Sequence, residues 1–162
     1  MSDWYTNFMS LVSDGFINLS TTGGGGGNTD ASVAAFNPYC ILMSAASWPG
    51  KNDTENLLEQ VTARQITASG YSAKQITNWT RTIETAATGI TRVKFTFSVP
   101  TFGVVAAGQT VAAALVYHSG TVGEQANPLA FQIDHADRAL TGGEVLLRRN
   151  ADSAEFVLYW NN

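Results

Sequence analysis

Few side chains in this chain are equipped for chemistry, and their spacing limits what each can do. The two histidines are His118 and His135. His135 stands in Asp134-His135-Ala136-Asp137-Arg138. An imidazole among carboxylates could bind a divalent cation, or act as a base oriented by Asp137. On a strand, however, Asp134 and His135 face opposite ways, and Asp137-Arg138 reads as a solvated turn. His118 precedes Ser119-Gly120, where a strand meets a turn. A nucleophilic serine needs its histidine turned towards it, which adjacent strand positions do not favour, so His118 reads as structural. The carboxylate pair Glu55/Glu59 fits the start of a short helix better than an acid/base couple. Cys40 is the one cysteine, set in Tyr39-Cys40-Ile41-Leu42-Met43. It permits neither an intrachain disulfide nor a cysteine-based metal site and reads as a small buried hydrophobe. The expectation is therefore no catalytic set, no metal and no cofactor.

The glycine run needs a separate account. Residues 23–27 are five consecutive glycines, followed by Asn28-Thr29-Asp30. A phosphate-cradling loop requires Gly-Lys-Ser or Gly-Lys-Thr opening a helix, and the first lysine here is Lys51. A flexible hinge over 23–30 is the expected reading.

Any side chain must be positioned by a fold, and composition bounds which one. A chain of 162 residues suits one domain with a substantial core. Charged residues are 14% of it, against about 25% in ordinary soluble domains. A net charge of −4 leaves no footprint for nucleic acid. The opening Met1-Ser2-Asp3-Trp4 lacks the basic stretch and long apolar core of a signal peptide. No apolar run is long enough to span a membrane. Synthesis in a cytoplasm, without nucleic-acid or membrane partners, is expected.

Hydropathy alternates with period two. In Ile90–Val99, Val93, Phe95, Phe97 and Val99 share one face; Arg92, Lys94, Thr96 and Ser98 share the other. Further strands are expected at Pro38–Ala45, Tyr71–Thr77, Thr110–His118, Leu129–His135, Glu144–Arg149 and Ala154–Trp160, separated by turn residues. A short helix is expected from Asp53 or Thr54 through Gln60, and a second, weaker one over Arg81–Ala87. The expected fold is an all-β antiparallel sandwich, jelly-roll-like, occupying residues 31–162. Residues 1–22 are apolar and weakly charged. They suit either the first strand of the same sandwich or an extended N-terminal arm docking on a neighbouring subunit. In the second case Trp4, Tyr5, Phe8, Phe16 and Ile17 are the expected interface anchors. Trp4, Trp48, Trp79 and Trp160 could alternatively line a glycan platform.

From about residue 58 onward the order of features resembles a known family. Val61-Thr62-Ala63-Arg64-Gln65 precedes Gly70-Tyr71-Ser72-Ala73-Lys74-Gln75-Ile76. This is similar to the Gly-Tyr-Ala-Arg-Gln-Val segment of small tailed-phage virion structural proteins, labelled tail-fibre-like or minor capsid proteins. Lys74 stands where that family commonly has Arg. The strand running into Val99-Pro100, the segment Ala114-Leu115-Val116-Tyr117-His118-Ser119-Gly120, the pair Gly142-Gly143 before Glu144-Val145-Leu146-Leu147, and Glu155–Trp160 continue the likeness. Glu144 replaces the family's Asp. The resemblance implies a non-enzymatic virion part, with no catalytic residues to carry over. A capsid decoration, or cement, protein is the preferred form. It would bind the major capsid protein and itself as a homo-oligomer, a trimer by preference, and would be located in the virion. A tail, baseplate or fibre component, with tail proteins as partners, is the alternative.

Overall fold

The computed structural model describes residues 2–14, 16–19, 34–77, 79–85, 91–98, 100–147 and 155–161. The chain opens with strand β1 (Ser2–Trp4), helix α1 (Thr6–Ser13) and β2 (Ile17–Asn18). Then come β3 (Ala34–Ala35), β4 (Pro38–Ser44), α2 (Leu58–Val61) with a 3-10 turn at Thr62–Arg64, and β5 (Lys74–Gln75). The second half is β6 (Trp79–Thr85), β7 (Thr91–Ser98), β8 (Thr101–Val104), β9 (Thr110–His118), β10 (Thr121–Val122), β11 (Gln125–Ala126), β12 (Leu129–Ala139), β13 (Glu144–Leu146) and β14 (Glu155–Asn161). The fold is the expected all-β one. Its sheets are antiparallel apart from the two-residue pairing of β2 with β3.

The main sheet has the order β1-β12-β9-β4-β5. Its centre is the pair β4 and β9, in register from Pro38 opposite His118 to Met43 opposite Ala113. Both strands lose the period-two pattern in mid-strand. Cys40-Ile41-Leu42-Met43 and Ala113-Ala114-Leu115-Val116 are buried without a break. A continuous apolar run is what a strand covered on both faces requires. A second sheet, β14-β7-β6, and the two-stranded ribbons β8–β13 and β10–β11 complete the described strands. One apolar cluster extends from Trp4 to Leu147.

Five expectations are corrected. Residues 2–19 are not an extended arm. Ser2, Asp3 and Trp4 pair with Ile133, Gln132 and Phe131, which makes β1 an edge strand of the main sheet. The Tyr5 N–H extends that ladder to the Ala130 carbonyl at 2.9 Å. The chain then coils into α1, which buries Phe8 and Leu11. Among the described residues the α-helices are thus α1, where none was expected, and α2. The helix expected over Arg81–Ala87 is strand β6, paired with β7 from Trp79 opposite Phe97 to Thr85 opposite Thr91. Its β-branched Thr80, Thr82, Ile83 and Thr85 favour a pleated backbone. The helix expected from Asp53 begins only at Leu58. Asn52 Oδ1 accepts from the Thr54 N–H and hydroxyl, holding 52–54 in a turn, and Gln60 Oε1 accepts from the N–H groups of Asn56 and Leu57. The strand expected at Tyr71–Thr77 shrinks to β5, and β12 continues beyond His135 to Ala139 across a register irregularity. The glycine hinge at 23–30 lies outside the described residues.

Candidate functional site

Of the described side chains, the two with the most reactive chemistry, Cys40 and His118, are built into the core. Cys40 is fully buried, and burial pushes its thiol far above the ordinary range, which removes the thiolate that reactivity needs. His118 ends β9 at 3% exposure. Its Nδ1 accepts the backbone N–H of Asn37 at 3.1 Å, so the neutral ring carries its proton on Nε2. Burial pushes its pKa down to about 4. The neighbouring Ser119 presents backbone here: its carbonyl accepts from Asn37 Nδ2 and its N–H donates to the Asn37 carbonyl. These contacts make His118 a structural group, with the Ser119 backbone rather than a nucleophile engaged beside it.

Asp134 and His135 lie on β12, just where its pairing with β9 shifts register, and their side chains fall outside the described ones. Asp137 and Arg138 are exposed on the same strand rather than in a turn. Among the described residues no group of three metal-ligating side chains converges. Glu55 is joined to Arg64 by two 2.6 Å hydrogen bonds, which hold its carboxyl below the ordinary range. The Arg64 guanidinium lies 6.0 Å from the Trp48 ring. This network braces the loop between β4 and α2 and leaves Glu59 apart from it.

The expected interface anchors divide. Trp4, Tyr5, Phe8 and Ile17 are buried in the chain's own core, Tyr5 and Phe8 completely. Trp4 meets Phe131 edge-on at 5.1 Å and lies nearly parallel to Phe8 at 5.9 Å; Phe8 meets Phe36 at 5.3 Å. Only Phe16 faces solvent, at 45% exposure. Trp48 is buried, as Trp4 is, which takes both from any glycan platform; the side chains of Trp79 and Trp160 are not among the described ones.

A different exposed apolar surface appears, at residues not among the expected anchors. On the β8–β13 ribbon, Val104 stands opposite Glu144, and Leu146 opposite Thr101. All four are exposed, Val104 at 68% and Leu146 at 41%. The underside of the same ribbon is locked down. Phe102 is buried and stacks on Tyr71 at 5.9 Å, and the Tyr71 hydroxyl accepts the Leu42 N–H of β4 at 2.8 Å. Ala106 N–H donates to the Ser69 carbonyl at 2.9 Å, and Val105 N–H to the Gly143 carbonyl at 3.1 Å. Gly70 completes the joint. It has φ +85°, and a Cβ there would lie 2.3 Å from the Val104 carbonyl oxygen. Only glycine tolerates both the conformation and the approach. The Gly70-Tyr71 pair therefore has a structural reason: it fastens a solvent-facing apolar ribbon to the central strand. Period two gives no signal for this surface: Val104 lies two residues from buried Phe102 and would share its face, but Gly103 between them has φ +74° and the strand turns.

No protein-family model matches the chain, and no curated protein and no solved structure is significantly similar to it. Among the described residues no helix is long and apolar enough to cross a membrane.

Proposed function

We propose that this chain is a structural part of a bacteriophage particle, preferentially a capsid decoration protein that packs across joints of the shell as a trimer. The observation that carries the proposal is the contrast in how side chains are used. Cys40 and His118 are consumed by packing, while Val104 and Leu146 are held in water on a ribbon anchored by Gly70, Tyr71 and Phe102. A rigid apolar face binds by burying area, which needs no reacting group. The low charge content and the likeness of residues 58–160 to small tailed-phage virion proteins support the same reading. The proposed docking surface moves from the N-terminal segment to the ribbon, because Trp4, Tyr5, Phe8 and Ile17 are already covered by the chain itself.

Mass spectrometry of phage particles purified from the cells that encode the chain tests this. Hundreds of copies per particle are expected, with capsids that lack the chain breaking at lower temperature. A handful of copies moves the protein to the tail. Absence from purified particles overturns the proposal.

A further inference from the structure

The chain contains a row of rings that joins its first residues to the end of its central strand. His118 on β9 stacks on Phe36, with centroids 6.2 Å apart and planes 17° from parallel. Phe36 meets Phe8 on α1, Phe8 meets Trp4 on β1, and Trp4 meets Phe131 on β12. Segment 34–37, which carries Phe36, also takes β2 by the pairing of Ile17 with Ala34. Its attachment next to His118 is one cluster of hydrogen bonds. Asn37 N–H donates to His118 Nδ1, Asn37 Nδ2 to the Ser119 carbonyl at 3.1 Å, and Gln75 Nε2 to Asn37 Oδ1 at 2.9 Å.

We infer that His118 is an acid-sensitive latch that holds segment 34–37, and through Phe36 the N-terminal helix, on the main sheet. The latch works because Nδ1 is an acceptor facing a backbone donor. On protonation both ring nitrogens become donors, so no flip of the ring restores an acceptor to Asn37. The other side of the ring lies against Gly120, where any side chain would crowd Nε2: a Cβ there would lie 3.1 Å from it. The elements around the imidazole contribute Phe36, Asn37, Pro38, Ser119, Gly120 and Pro128, none of which titrates. Among the described residues no carboxylate or cation moves its pKa; burial pushes it down. A charge placed there meets no counter-ion among the described residues and favours the opened segment, in which the ring is hydrated.

The direction follows from linkage. The closed form prefers the neutral ring, so the latch is fully engaged above the ordinary histidine pKa and weakens as pH falls towards the value in the closed form. Opening should rise about tenfold per pH unit between 6.5 and about 4. The experiment is an NMR titration of the full chain from pH 7.5 to 4, reading amide protection at Phe8, Leu11, Ile17 and Asn37, with Leu115 on the central strand as the internal control. Protection should fall in the first group well before Leu115. In His118→Asn, whose Oδ1 can accept from Asn37 without titrating, that early loss should vanish. Loss of protection with the same pH profile in both proteins would overturn the latch. If the variant does not fold, the wild-type chain decides. The His118 ring resonances and the Asn37 amide must change with one midpoint, and separate midpoints overturn the inference.

Discussion

Residues 2–19 and the β8–β13 ribbon are both short, apolar and weakly charged, yet the fold treats them oppositely. The N-terminal segment turns Trp4, Tyr5, Phe8 and Leu11 inward and is closed over by the sheet it pairs with. The ribbon turns Phe102 and Val105 inward and leaves Val104 and Leu146 in water. Apolar content alone therefore does not say whether a segment is covered by its own chain or offered to another. What separates the two is the number of faces the backbone can bury. A helix at an edge strand rolls its one apolar stripe onto the core, whereas a ribbon whose underside is already packed has a second face left over.

The sharpest way to break this comparison is at its buried side. Phe8→Ala removes the ring between Trp4 and Phe36 and should destabilise the protein by about 3–5 kcal/mol, as aromatic truncations in closed cores do. Urea denaturation measures it. A loss below about 1 kcal/mol would mean that α1 is loosely seated, and the segment would again be a candidate for docking on a neighbour.

Gly70→Ala acts on the ribbon's anchor. Forcing an L-residue to φ +85° costs about 1–3 kcal/mol before the contact with the Val104 carbonyl is counted. The Val104 backbone must then shift, so altered amide shifts at Val104 and Val105 should accompany the drop in Tm. Tyr71→Phe is gentler. It leaves the stack on Phe102 but strands the Leu42 N–H, for an expected loss of about 1–3 kcal/mol. Its loss should appear as faster hydrogen exchange at Leu42, with Leu115 unaffected.

How much of this could be read beforehand follows from the same physics. Thr110–His118 was legible to the residue, because an apolar run of that length between Gly108 and Ser119-Gly120 has few other uses. The core role of Cys40 was legible from its apolar run, and the structural role of His118 from its place where a strand meets a turn; the burial of His118 was not. Helix α1 was not, although Tyr5, Phe8, Leu11 and Val12 have helical spacing. Its Thr, Asn and Ser are poor helix formers, and Tyr5 at its N-cap supplies no side-chain hydrogen bond. Strand β6 was obscured by Arg81 and Glu84, which read as helix-compatible until β7 pairs with them. The ribbon surface was invisible for another reason. Whether Val104 is inward or outward depends on the irregular register between Val145 and Leu146, which no local pattern records.

The smallest expected effect on stability sharpens the comparison most. Val104→Ser and Leu146→Ser replace side chains that are 68% and 41% exposed, so each should change stability by less than about 0.5 kcal/mol. Binding should respond differently. If the ribbon is the docking face, the double variant should keep the wild-type Tm and lose occupancy on particles assembled without the native protein. A double variant that loses stability would place the ribbon in the core with α1. One that keeps both stability and full occupancy would remove the ribbon as the contact. In that case Phe16, the one expected anchor left exposed on the N-terminal segment, becomes the next residue to change.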